Sequence, residues 1–279
     1  MVSVHGGHSG EFCNHAVDSL EEIVEAYVAK GFSWMGITEH MPPIDDRYVY
    51  PDERSAGLDA AALQQRFGRY FEVCRALQTR YRDRIEILAG FETEWYAGAA
   101  EYVNDLIRQY IPDYIVGSLH HVADRELDTT PEDYSAAAAA LGGVEALYIR
   151  YFDEQYELIN TLKPAVVGHF DLVRIFDSEY ASRIDSPEVR ARVTRNLELI
   201  KDLDLILDFN LAGYDKPGAE PYPMDAILGE AIGLGIALVP GDDSHGITTV
   251  GRHWEKGIAV LKARNANVSW KQPGQRRAP

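Results

Sequence analysis

Seven short apolar runs constrain the fold more than any other feature of this chain. They are VSV (2–4), FSWMGIT (32–38), IEILAGF (85–91), DYIVGSL (113–119), PAVVGHF (164–170), LDLILDF (203–209) and GIALVPG (235–241). Each is nearly continuous in apolar residues rather than alternating, as in strands buried on both faces of a parallel sheet. Helical patterns lie between them. SLEEIVEAYVAKG starts with a Ser19 cap, carries Glu22 three residues on and stops at Gly31, with Leu20, Ile23, Val24, Tyr27 and Val28 on one face. Further helices are predicted over 59–82, 98–110, 132–162, 187–202, 224–233 and 254–264. The proline-rich stretch 41–58 is too long for a simple connection and reads as a lid or binding loop. Seven βα units with no linker between them predict one α/β domain over 1–270, a TIM-like barrel of seven strands, followed by a frayed tail at 271–279.

The ends of these runs carry the chemistry. His5, His40, Glu92, His120 and His169 stand at the ends of the first five, Asn210 follows the sixth, and Asp243 and His245 follow the seventh. Six of the seven strands therefore deliver a candidate metal ligand at the carboxyl end, and in a parallel barrel those ends converge on one face. Burying so many imidazoles and carboxylates without a cation would leave unpaired polar groups at several kcal/mol each. The donor set suits zinc, iron or manganese better than calcium or magnesium, and it exceeds what one ion uses, so two or three are expected. Glu92 is the natural bridge between two of them. Cys13, between His8 and His15, reads as a small packed residue rather than a ligand. Arg174, just past His169, is a candidate phosphate contact, while Arg47 and Arg54 in the long loop, with His121 and His253, read as structural or surface residues.

Charge and cysteine content narrow the partners. With 44 acidic residues against 27 Lys and Arg, the net charge of −17 disfavours long nucleic acids and anionic membrane surfaces. Two cysteines make no disulfide framework, and no signal-like start or membrane-length apolar run is visible, so a cytoplasmic protein is expected. Nothing in the sequence specifies an oligomer.

The segments HGGHSGEFCNHA (5–16), GITEH (36–40), GFETEW (90–95), GSLHH (117–121), GHFD (168–171) and GDDSH (241–245) resemble, in order, the motifs of the PHP (polymerase and histidinol phosphatase) superfamily, and within it the PHP-type histidinol phosphatases. The resemblance implies a distorted (β/α)7 barrel with a trinuclear metal centre. His5, His8, Glu92 and Asp243 would hold the first ion. Glu92, His120 and His169 would hold the second, and His15, His40 and His245 the third. It further implies hydrolysis of L-histidinol phosphate, the penultimate step towards histidine, by a hydroxide bridging two ions. Glu92, Asp243 and His245 are then the candidate catalytic residues, with Arg174, Lys216 and Asn210 facing the phosphate and Glu39 and Asp171 orienting imidazoles.

Two positions depart from the family pattern. The usual His-x-His opening is here His5-Gly-Gly-His8, which requires a bulged glycine loop to aim both rings at one ion. In NLAGYDKP (210–217), Asp215 stands at or near the place where an arginine is expected, with Lys216 beside it as a point charge without the bidentate fork. The competing readings are a PHP phosphoesterase for another small phosphomonoester or nucleotide, and a non-catalytic metal-binding PHP module.

Overall fold

The computed structural model describes residues 1–274. Its centre is a sheet of seven parallel strands in sequence order: β1 (Val2–Ser3), β2 (Trp34–Ile37), β3 (Glu86–Glu92), β4 (Tyr114–Gly117), β5 (Val166–Val167), β6 (Ile206–Asn210) and β7 (Ala237–Gly241). All six pairings are parallel. The first and last strands are joined by Val4 N–H donating to Pro240 O at 2.9 Å and Asp243 N–H donating to His5 O at 2.8 Å, which brings the sheet close to a closed barrel. Every expected apolar run contains a strand.

The barrel interior is filled at its amino-terminal end by Val4, Leu88, Tyr114, Val166, Ile206 and Val239, all buried. Tyr114 Oη crosses this interior to donate to Val4 O at 2.6 Å. Gly36 makes that path possible, since a Cβ there would lie 1.7 Å from the phenolic oxygen. The plug leaves only the carboxyl-terminal mouth for polar chemistry.

Around the barrel, the helices follow the apolar stripes. Leu20–Ala29 is closed by the expected Ser19–Glu22 capping box and buries Leu20, Ile23, Val24 and Tyr27. The single helix expected over 132–162 is instead two, Pro131–Leu141 and Val144–Leu162. Gly142 and Gly143 divide it: both take positive φ (96° and 134°), which only glycine adopts without cost, and the Gly142 N–H caps the first helix at Ala138 O.

The 41–58 stretch lines the barrel mouth beside His40 and Glu94. It contains the turn Asp46–Tyr48 and the helix Pro51–Ser55. Tyr48 stacks flat on Tyr96 with centroids 3.9 Å apart, and Tyr50 Oη donates to Glu94 Oε1 at 2.8 Å. Its arginines are spent locally, Arg47 on Asp45 and Arg54 on Val49 O. At the carboxyl end, Lys271 pairs with Asp204 at 2.8 Å and Gln272 donates to Glu86, so these two residues of the expected tail are tied down; residues 275–279 of that tail lie outside the described residues. Among the described residues no helix is long and apolar enough to cross a membrane.

Candidate metal centre

Each strand end delivers its side chain by a definable local device. After β1, the chain turns through Gly6 and Gly7, Gly7 in the left-handed region at φ 72°. A Cβ at Gly6 would strike Tyr27 Oη at 2.4 Å, so two glycines are what this turn tolerates. The turn brings His5 and His8 to 6.1 Å between ring centroids, and both face Asp243 and Glu92. The departure from His-x-His therefore keeps both rings in the site. A parallel bridge between His40 and Glu92 extends the β2–β3 register to the mouth. Asp243 sits at φ 45°, a strained value for a non-glycine residue, as is frequent where structure over-determines a functional side chain.

Glu92, nearly inaccessible, is the hub. Its Oε1 lies 2.9 Å from His169 Nε2, 3.2 Å from His5 Nε2 and 3.5 Å from His120 Nε2. Its Oε2 lies 3.1 Å from His40 Nδ1 and 3.9 Å from His8 Nε2. His120 Nε2 and His169 Nε2 are 3.2 Å apart. His8 stacks between His245 (4.3 Å) and His40 (4.5 Å). Three groups of donors have ligand atoms within 4.8 Å of one another around this hub: His5, His8 and Asp243; His5, Glu92 and His169; and His8, Cys13, His40 and His245. His40, Glu94 and His120 make a fourth.

Other carboxylates hold the rings by their far nitrogens. His5 Nδ1 donates to Asp208 Oδ2 at 2.8 Å, and His120 Nδ1 to Glu94 Oε1 at 2.8 Å. Glu94 also meets His121 Nδ1 at 3.1 Å. Glu39 accepts from the Ser9 amide and hydroxyl and stands 3.7 Å from His8 Nδ1. His245 Nδ1 donates to Asp243 O at 3.0 Å. Each such bond leaves the other ring nitrogen as the free donor atom.

The electrostatics follow. Burial alone would lower the pKa of His5, but Glu92, Asp243 and Asp208 overcome it and hold it well above the usual imidazole range. His40 and His120 are raised against burial in the same way, chiefly by Glu92 and by Glu94 with Glu92 respectively. Burial would raise Glu92 and Asp243; the surrounding imidazoles instead hold both well below the carboxylate range. His245 is lowered by burial and by its neighbour His8. His5 Nε2, both nitrogens of His8 and of His40, and His169 Nδ1 are buried without a hydrogen-bond partner. Orphaned imidazole nitrogens converging on carboxylates fit divalent cations, which would satisfy what the protein leaves unpaired.

The structure thus gathers His5, His8, His40, Glu92, His120, His169, Asp243 and His245. His15 lies at the rim, half exposed, its ring 4.9 Å from that of His245 and its Nε2 3.3 Å from Cys13 Sγ.

The structure places the expected phosphate contacts, Arg174, Lys216 and Asn210, in different settings. Asn210 is fully buried and its amide is committed: Nδ2 donates to Asp208 and Asp243, and Oδ1 accepts from Ala212. Arg174 is neither on the surface nor a free clamp. Its Nε donates to Asp171, its Nη2 to Glu220 O and Pro221 O, and its plane covers Tyr222 at 4.2 Å. Asp171 accordingly braces Arg174 and the Met224 amide rather than an imidazole. Lys216 is exposed, and Asp215 pairs with Arg252 and His253. Sequence reasoning passed over Asp208 and Glu94. The signal for Asp208 was a charge inside the apolar run LDLILDF; Glu94 stood two residues past Glu92.

Comparison with known proteins agrees with this architecture. The PHP domain family matches residues 6–212. A Schizosaccharomyces pombe relative is 35% identical over 264 residues, covering 93% of this chain and 85% of its own. The histidinol-phosphatase of Bacillus subtilis is 30% identical over 257 residues, covering 88% and 94%. In fold, the crystal structure of a Lactococcus lactis histidinol phosphate phosphatase, complexed with zinc, L-histidinol and phosphate, superposes with a TM-score of 0.71 at 20% identity, covering 95% of this chain and 94% of that one. By its family match, and by motifs that converge at one barrel mouth, the chain belongs to the PHP family.

Proposed function

We propose that this protein is a metal-dependent phosphomonoesterase, acting in the cytoplasm, that hydrolyses L-histidinol phosphate to L-histidinol and phosphate. The observation that carries this reading is the convergence of orphaned buried imidazole nitrogens on the two oxygens of Glu92, His5 Nε2 on Oε1 and His40 Nδ1 and His8 Nε2 on Oε2. The histidinol-phosphatase relative aligned over nearly its whole length supports the substrate. His5, His8, Glu92 and Asp243 are the ligands assigned to a first ion, Glu92, His120 and His169 to a second, and His15, His40 and His245 to a third. Of the zinc, iron and manganese that the donor set accepts, zinc is the assignment supported by the metal present in the Lactococcus lactis structure.

Bound divalent ions supply activation of a water for in-line attack on phosphorus and compensation of the charge on the phosphoryl oxygens. The protein's part is positioning. Glu92 divides its oxygens between two sets of histidines, so one carboxylate ties the sets together. Asp208 and Glu94 hold the rings of His5 and His120 by hydrogen bonds to Nδ1, so these donors are oriented before substrate arrives. Asp243, its pKa depressed, enters as a carboxylate and therefore acts as a ligand or proton acceptor rather than as the acid for the leaving alkoxide. Ions held there would concentrate positive charge at the mouth of a chain that is otherwise strongly acidic, which favours a small dianionic ester over a polyanion.

The test is steady-state phosphate release by metal-reconstituted protein from L-histidinol phosphate, set against sugar phosphates and nucleotides. A kcat/KM for L-histidinol phosphate that exceeds the others by orders of magnitude is expected. Equal, weak turnover of the whole panel would overturn the substrate assignment, and no turnover above a chelator-treated control would overturn the enzymatic one.

A further inference from the structure

The two cysteines occupy opposite environments. Cys74 is fully buried in the apolar core beside Tyr70, and burial pushes its thiol up to about 12. Cys13 is also buried, yet its sulfur faces imidazoles. Sγ lies 3.3 Å from His15 Nε2, and it falls within 4.8 Å of donor nitrogens of His8, His40 and His245. A turn holds it there: the Cys13 N–H donates to Ser9 O at 2.8 Å, and Glu39 in turn accepts from the Ser9 amide and hydroxyl.

A sulfur in that place could be a mere hydrogen-bond donor to His15. Two observations argue for more. Two donors sharing a tetrahedral zinc, with sulfur at about 2.3 Å and nitrogen at about 2.05 Å, stand about 3.5 Å apart, close to the Sγ–Nε2 separation here. Independently, His40, which belongs to the same donor group, has no hydrogen-bond partner on either of its buried ring nitrogens. A hydrogen bond between Cys13 and His15 leaves both orphaned; an ion within the group engages one of them.

We propose that Cys13 is a sulfur ligand of the outermost ion, joining His15, His40 and His245, and that it makes this position selective for zinc-like ions over manganese or magnesium. The inference rests on the metal-centre reading above and adds to it a ligand of a different chemical class. Thiolate is a soft donor, and a single one changes the preference of an otherwise imidazole pocket. With four protein donors the outermost ion would act in holding the His8–His40–His245 stack and the charge at the mouth.

The experiment is cobalt(II) loading of the full chain, read by absorption. Sulfur coordination gives a sulfur-to-cobalt charge-transfer band in the near ultraviolet; imidazole and carboxylate coordination gives ligand-field bands alone. The expected result is the charge-transfer band in the natural chain and in Cys74→Ala, and its loss in Cys13→Ser together with one ion per chain. Cys13→Ser should also narrow the preference for zinc over manganese in competition. Cobalt bound with ligand-field bands but no charge-transfer band, in the natural chain and in Cys74→Ala alike, overturns the inference and leaves the histidine and carboxylate centre standing. Those two spectra decide the matter even if Cys13→Ser does not fold. Failure of the natural chain to bind cobalt or zinc at all overturns the metal-centre reading, and this inference with it.

Discussion

Asp208 Oδ2 accepts a hydrogen bond from His5 Nδ1 at 2.8 Å, although the two residues are 203 positions apart. Both are fully buried, and Asn210 Nδ2 donates to the same oxygen at 3.0 Å. The contact pins the His5 ring so that Nε2 points at Glu92, and it fixes which nitrogen carries the proton. Gly241 leaves room for the carboxylate, since a Cβ there would lie 2.2 Å from Asp208 Oδ1.

Asp208→Asn keeps the volume and removes one of the charges that raise His5, after Glu92 and Asp243, together with the acceptor that holds its Nδ1–H. Outer partners of this kind are worth about 10–100-fold in metal affinity or activity. Loss within that range is expected, read by calorimetric metal titration on the chelated protein, with the fold retained by circular dichroism. Wild-type affinity in Asp208→Asn would show that the contact is structural only.

Glu92→Gln tests the hub. The substitution leaves His5, His40, His120 and His169 around a neutral amide whose nitrogen would point at imidazoles. Loss of ions and a fall in turnover of roughly 10²-fold or more are expected, as for removal of a single preorganised electrostatic group elsewhere. Near-wild-type turnover with full metal content is incompatible with a bridging role.

Metal removal should affect stability in a pH-dependent way. In the ion-free chain, His5, His40 and His120 bind protons more tightly than free imidazoles do, because the nearby carboxylates outweigh burial. A raised imidazole pKa contributes stability that is fully present below about 6.5 and is lost as pH rises through the folded value. The depressed carboxyls of Glu92 and Asp243 act in the opposite window: their contribution is present above the unfolded carboxylate range and lost only in acid. Ions displace the imidazole protons, so they replace what rising pH removes. The gain in Tm on adding zinc should therefore grow from about pH 6 to about pH 8, measured by thermal melts with metal and with chelator. A gain that shrinks over this range contradicts the charge arrangement described.

Much of this architecture is legible in the sequence because barrel strands buried on both faces leave continuous apolar runs, and because their ends are where a parallel barrel concentrates polar residues. The Ser19–Glu22 capping box is local and reads directly. What did not read was non-local or competed with a stronger local pattern. The Ala136–Ala140 run favours unbroken helix, and its weight hid the Gly142–Gly143 break. Asp208 looked like one polar residue in a strand because its partner lies at the other end of the chain. Arg174 was correctly placed next to the His169 motif, but its carbonyl partners, Glu220 and Pro221, lie on a separate loop whose return to the barrel no local pattern announces.

Arg174 gives the sharpest contrast between the two levels of reading. As a phosphate clamp, its loss would raise KM and leave stability alone. As observed, it is a brace: Asp171 takes its Nε, two loop carbonyls take its Nη2, the face of Tyr222 lies under its plane, and Tyr222 in turn packs 6.3 Å from the His169 ring. Arg174→Ala would leave the buried Asp171 carboxylate without its cation, which costs about 3–5 kcal/mol when one member of a buried pair is removed. Arg174→Lys keeps the charge but not the planar fork that reaches both carbonyls, and should fall between the two. The expected outcome is a marked drop in Tm for Arg174→Ala, a smaller one for Arg174→Lys, and lowered kcat in proportion to the disturbance of the 220–224 loop. A Tm unchanged in both variants, with KM for the phosphoester raised in both, would restore the clamp and require a rearrangement of this loop when substrate binds.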